Sequence, residues 1–240
     1  MRQALRKDEV DVCVILTEGI IADIVKGSPT KIISHYINSP LIWGVHTAAT
    51  NALDKYADIY DKNYAISRFG SGSHLMAIVD AVSNDRKLNK EQFIPIQSLS
   101  GALDSLASLE TDVFYWEKFM TKPFVDDGRL KRLGEFMTPW PSFVIASRND
   151  YIEKDSKVLK DMLEVIRFNS VHFQHSPLSV SEVVNRFELQ HEDAEQWFES
   201  TLWNGSNDFQ TDVLVNVQIA LKEAGIIDQE VSIGELLIQL

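Results

Sequence analysis

Apolar positions fall in short runs between polar turns over the first two-thirds of the chain, and at helical spacing over the last third. Residues 10–16 form a continuous apolar run of the buried-parallel-strand type. Ahead of it, residues 1–7 read as the end of a helix. Ile20, Ile21, Ile24 and Val25 mark a helix that Gly27 ends. Further strands are expected at residues 31–37, 41–47, 63–67, 93–97, 112–115 and 142–147, and helices at 101–109, from 154 onward and at 212–224. Residues 48–61 read as a helix plus connection, and 121–128 as a turn, because Pro123 and Asp126-Asp127-Gly128 are breakers. Strands alternating with helices imply an α/β chain with a parallel or mixed sheet, with the later helices packed back on an earlier part.

The stretch Ser67-Arg68-Phe69-Gly70-Ser71-Gly72-Ser73-His74 follows an expected strand and enters an expected helix, whose apolar face is Leu75, Ile78, Val79 and Val82. Gly70 and Gly72 permit close backbone approach, Ser73 suits an N-cap, and the first helical N–H groups lack partners inside the helix. Such a turn receives an anion or strong acceptor. Arg68 adds a permanently charged planar donor. The competing reading is a capped turn with no ligand. The order of residues matches neither a P-loop nor a G-x-S-x-G nucleophile elbow.

In open α/β sheets, ligands bind outside the carboxyl ends of strands. That rule selects Thr17, Glu18 and Gly19, then Trp43 and His46, the 67–74 turn, and Trp116 with Glu117. The tryptophans suit stacking on a flat ligand and suit a core equally well. His46 and His74 suit donation to a ligand, although a lone histidine is more often structural. Glu18 suits a cationic or N–H group, or its own helix start. No His/Asp/Glu spacing of the metal-ligand kind occurs. Residues 181–187 and 190–201 have a helix-turn-helix outline, with Ser179 and Glu182 spaced as a capping box. The second helix carries Glu192, Asp193, Glu195 and Glu199, which would repel phosphates, so the pair reads as structural.

The formal net charge of −12 argues against nucleic acid or an anionic membrane as partner. Cys13, the one cysteine, lies in the first apolar run and reads as a buried, inert thiol in a reducing compartment. No stretch is long and apolar enough to span a bilayer, and residues 1–8 read as no secretory signal.

Several segments together, "VDVCVILTEG", "SPLIWGVHTAA", "AISRFGSGSHLMAIVDA", "TDVFYWEKFMTKP" and "TPWPSFVIASRND", resemble proteins of the type II periplasmic-binding-protein fold, in their intracellular fungal and bacterial branch. More distantly they resemble binding proteins for nitrate, sulfonates and thiamine-pyrimidine precursors. The resemblance implies two α/β lobes around a ligand cleft: lobe one from residues 1–45 and 139–240, lobe two from 46–138, with the helical C-terminal region on lobe one. It also implies a strand, helix and strand ahead of Met1 that this sequence lacks. The function expected is binding of a small polar, heterocyclic or anionic molecule in the cytoplasm, with no cofactor and no nucleic-acid partner. The alternatives are a thiamine-pyrimidine-synthase-like enzyme, whose cysteine-rich iron motif Cys13 alone does not provide, and a truncated non-binding fragment.

Overall fold

The structure is a computed structural model that describes residues 1–206 and 209–240. In chain order its elements are α1 (Arg2–Arg6), β1 (Val12–Leu16), α2 (Thr17–Val25), β2 (Thr30–Ile37), β3 (Ile42–Ala48), β4 (Tyr64–Ile66), α3 (Gly72–Ser83), β5 (Phe93–Pro95), α4 (Leu99–Ala107), β6 (Val113–Glu117), α5 (Lys118–Asp126), β7 (Leu130–Met137), β8 (Phe143–Arg148), α6 (Asn149–His175), α7 (Ser179–Phe187), α8 (His191–Ser200), α9 (Thr211–Glu223) and α10 (Ile233–Leu236), with single 3-10 turns at Tyr56–Asp58 and Lys90–Gln92. The chain divides into two compact units, Met1–Pro40 with Pro139–Leu240, and Leu41–Thr138.

The first unit is built on a three-stranded sheet in the order β1-β8-β2, with β8 antiparallel to both neighbours. Residues 10–16 are therefore not a parallel strand as expected. An apolar run reports burial, not the direction of its partner, and β1 is in fact mostly half-buried. Helix α6 packs Ile152, Leu159 and Leu163 against Ile33 and Ile145 of the sheet, and it kinks at Asp155, whose backbone leaves the helical region. Helix α2 is buried along nearly its whole length and packs against α9 and α10. Its Gly27, at φ +89°, ends it as expected.

The second unit carries a mixed sheet in the order β5-β4-β6-β3-β7. The first three strands run parallel and β3 is antiparallel to both β6 and β7. Ala48, Ala65, Ala102, Leu106, Phe114 and Leu130 form one core on this sheet. β7 escapes the sequence reading because it is a charged edge strand, with Lys131, Arg132 and Glu135 breaking any apolar alternation.

Two local expectations are corrected here. Residues 48–61 hold a 3-10 turn and bends, not a helix. Asn51 Oδ1 accepts from Leu53 N at 2.9 Å, a side-chain bond that competes with helix formation. Residues 121–126 belong to α5 with Pro123 inside it, and the turn comes only at Gly128, where φ is +78°.

Candidate functional site

The parallel pair β4 and β6 delivers two helix starts to the carboxyl edge of the second unit's sheet. After β4 the chain turns through Ser67–His74 into α3. Gly70 sits at φ +74°, the left-handed region that glycine adopts without strain. The N-cap is Ser71, not Ser73, and the helix begins at Gly72. Ser71 makes no side-chain cap. Its Oγ instead lies 3.1 Å from Ser73 Oγ, and Ser73 Oγ accepts from Ser67 N at 3.1 Å. Both hydroxyls are buried. Gly70 N donates to His74 Nδ1 at 3.1 Å, and the His74 ring sits edge-on between Phe69 and Phe93. Arg68 is exposed.

After β6, Glu117 is the N-cap of α5 and accepts from Met120 N at 2.7 Å. Burial pushes its carboxyl above the ordinary range, against that hydrogen bond. Trp116 stacks on Phe114 with centroids 5.2 Å apart and packs on the unit's core, and its indole Nε1 is buried without a hydrogen-bond partner among the described residues.

Antiparallel pairing sets Trp43 opposite Glu117 and Gly44 opposite Trp116. Trp43 is buried and donates from Nε1 to Thr138 Oγ1 at 3.0 Å. His46 is fully buried at a bulge in β3. Its Nδ1 donates to Phe114 O at 3.3 Å, which makes Nε2 the acceptor, with Thr121 Oγ1 at 3.0 Å and Arg132 Nε at 3.4 Å. Burial, aided by the Arg132 charge, lowers its pKa to about 4, so the ring is neutral. The polar atoms of Trp43 and His46 are thus engaged by the protein.

In the first unit, Thr17, Glu18 and Gly19 are the first turn of α2 and all three are buried. Thr17 Oγ1 donates to Pro141 O at 2.6 Å and Thr17 N to Ser142 O at 3.0 Å. Glu18 Oε2 accepts from Trp140 Nε1 at 3.0 Å, whereas Oε1 is buried without a hydrogen-bond partner among the described residues. Burial raises the Glu18 pKa to about 7, opposed by the Trp140 hydrogen bond.

Sequence reasoning missed a third polar centre, around Asp80 of α3. Its Oδ2 accepts from the hydroxyls of Tyr56, at 2.7 Å, and Tyr115, and its Oδ1 accepts from Asn84 Nδ2 at 3.0 Å. Burial raises the Asp80 carboxyl above its usual range and these donors hold it down. The available signal was a carboxylate four residues after Met76, in phase with the buried face of α3. Its tyrosine partners lie too far along the chain to be read locally.

This pair of α/β units, one of them built from two separate segments of the chain, is the type II periplasmic-binding-protein fold, a fold used by ligand-binding proteins. Residues 43–136 match the family model described as Ca3427-like PBP, so the resemblance read from the sequence holds over most of the second unit. The chain is similar to the Candida albicans CA3427 gene product, described as defining a new family with the generic periplasmic binding protein fold: 25% identity, TM-score 0.91, covering 99% of this chain and 82% of that one. It also resembles the alkanesulfonate-binding protein SsuA from Xanthomonas axonopodis pv. citri bound to MOPS, at 12% identity and TM-score 0.80 over 100% of this chain and 84% of that one. The aliphatic sulphonate binding protein SsuA from Escherichia coli matches at 13% identity and TM-score 0.68, over 99% and 79%. No curated protein matches the chain.

Proposed function

We propose that this chain is a non-catalytic binding protein for a small, flat, polar molecule whose acidic or strong-acceptor end is held by residues 70–74. The observation that carries the reading is the start of α3. Gly70, Gly72 and the Ser71 and Ser73 hydroxyls converge there on a helix N-terminus that Ser71 does not cap with its side chain. Backbone N–H groups and the helix dipole at such a place favour negative charge. Arg68 adds a charge at the rim. At the neighbouring strand end, Trp116 offers a ring for the flat part and Glu117 an acceptor for an amine or ring N–H, which favours a heterocycle over a bare anion. The sulfonate-binding structures of the same fold support the anionic end. The single cysteine supports a cytoplasmic setting.

Native mass spectrometry of the purified protein, followed by calorimetry with whatever small molecule is retained, tests this. The expected result is one non-covalent small molecule, released on denaturation and rebound by the emptied protein. The reading is overturned if incubation with iron, pyridoxal phosphate and histidine yields a pyrimidine phosphate, since the chain would then be an enzyme of the thiamine-pyrimidine-synthase kind.

A further inference from the structure

Helix α6 buries one face, through Leu159, Leu163 and Ser170, and turns the opposite one to solvent. On that outer face Val158, Asp161, Val165, Phe168, His172 and His175 follow one another at alternating steps of three and four residues. That is the strict a/d spacing of a helix–helix seam, held over about 27 Å of helix. All six side chains are exposed, with Val158 at 52%, Val165 at 61% and Phe168 at 72%. Single apolar side chains on a surface are ordinary, but these three share one seam. The Phe168 and His172 rings lie parallel with centroids 6.5 Å apart, and His175 Nδ1 donates to Val171 O at 2.8 Å. Those contacts hold the aromatic end of the seam in one arrangement.

The polar members of the seam select its occupant. Its carboxylate, Asp161, stands in the N-terminal half, and both imidazoles stand in the C-terminal half. A parallel copy of the helix would set Asp161 against Asp161. An antiparallel copy, turned about a two-fold axis between positions 166 and 167, sets Asp161 opposite His172, Val165 opposite Phe168 and Val158 opposite His175. Each of these pairs then occurs twice, as a two-fold interface requires. An imidazole donates an N–H to a carboxylate in either protonation state.

Local charge permits the approach. The chain carries −12 overall, which keeps copies apart across most of its surface. Along residues 153–164, however, the exposed charges are three carboxylates and three lysines, and residues 165–175 hold no carboxylate. We infer that the outer face of α6 is an interaction surface for a second copy of this chain, paired antiparallel with Asp161 on His172 and Val165 on Phe168. One pair of helices of this length buries less than a standard interface, so the dimer is a weak one.

Sedimentation velocity of the full chain, from low micromolar to near millimolar concentration, tests this. A monomer–dimer equilibrium is expected. Phe168→Ser should weaken it at least about tenfold, as removal of a central aromatic anchor does. Asp161→Arg removes the carboxylate, and His172→Asp sets two carboxylates together, so each should weaken the dimer. The double variant Asp161→Arg/His172→Asp should restore it through two Arg–Asp pairs. The two positions lie about 16 Å apart along one helix, so a rescue would have to act between chains. Should Phe168→Ser lose its native circular dichroism, the charge variants carry the test. A monomer at every concentration overturns the inference. So does a dimer indifferent to Phe168→Ser or to the single charge variants, or one that the double variant fails to restore.

Discussion

The Trp140 indole donates to Glu18 Oε2 at 3.0 Å inside the first unit, and the other carboxylate oxygen of Glu18 is buried without a hydrogen-bond partner among the described residues. One hydrogen bond does not replace the water that a carboxylate loses on full burial, so the proton is retained to a pKa of about 7. The folded-state pKa is raised above the unfolded value. The stability this group contributes is therefore complete below about pH 4.5 and is lost as pH rises to about 7. Glu18→Gln keeps an acceptor for Trp140 and cannot ionise. It should remove that loss and gain about 2–4 kcal/mol above pH 7. Urea titrations at pH 5 and 8 check it; an equal effect of the substitution at both would show that Glu18 ionises freely in the fold.

His46 and Gly44 share one space. A Cβ at position 44 would stand 2.3 Å from His46 Cε1 and 2.6 Å from its Nε2. The ring cannot swing aside without giving up its bond to Phe114 O. Gly44→Ala should cost about 1–3 kcal/mol by overpacking. Combining it with His46→Ala should recover at least about 1 kcal/mol relative to additivity, because the clash and the cavity cancel. A double-mutant cycle by chemical denaturation measures this coupling, and strictly additive values would refute it.

Tyr115→Phe takes one of three side-chain donors from the buried Asp80 carboxylate. A hydrogen bond to a charged buried group is worth about 1.5–3 kcal/mol, so a loss of that order is expected. Tyr56→Phe, on a half-buried residue, should cost less. The order of the two midpoints in urea decides.

His35 acts on the acid side. It is buried against Phe209, with ring centroids 3.8 Å apart, and neither of its nitrogens has a hydrogen-bond partner among the described residues. Burial lowers its pKa to about 4. A histidine with a depressed folded pKa gives stability that is full above its unfolded value, about 6.5, and is lost as pH falls toward 4. His35→Phe keeps the stack and should flatten that loss. Thermal melting at intervals between pH 7 and 4 follows it, and parallel curves for the two proteins would count against this assignment.

At the proposed binding site, Gly72→Val sets a branched side chain at the first residue of α3, where an anion would approach. Binding of the retained ligand should fall below detection in calorimetry while circular dichroism stays native. Unchanged affinity would place the ligand elsewhere.

The local features of this chain were legible because neighbouring residues produce them. The strand–turn–helix at Ser67–His74, the helix closed by Gly27 and the strand that ends at Glu117 all follow from periodicity, glycine and capping chemistry within a few residues. The segments that resemble periplasmic binding proteins likewise carried the fold class from sequence alone. Tertiary structure alone decided what each side chain meets. β1 became antiparallel because its partner β8 arrives more than a hundred residues later. His46 became a neutral structural ring because Thr121 and Arg132 reach it from two other elements. Asp80 acquired its tyrosines from 24 and 35 residues away. Phe187, indistinguishable in sequence from a core residue, stayed bare because no later segment returns to cover it among the described residues. Burial and partner choice depend on contacts distant in sequence, and no local pattern of apolar and polar positions encodes those.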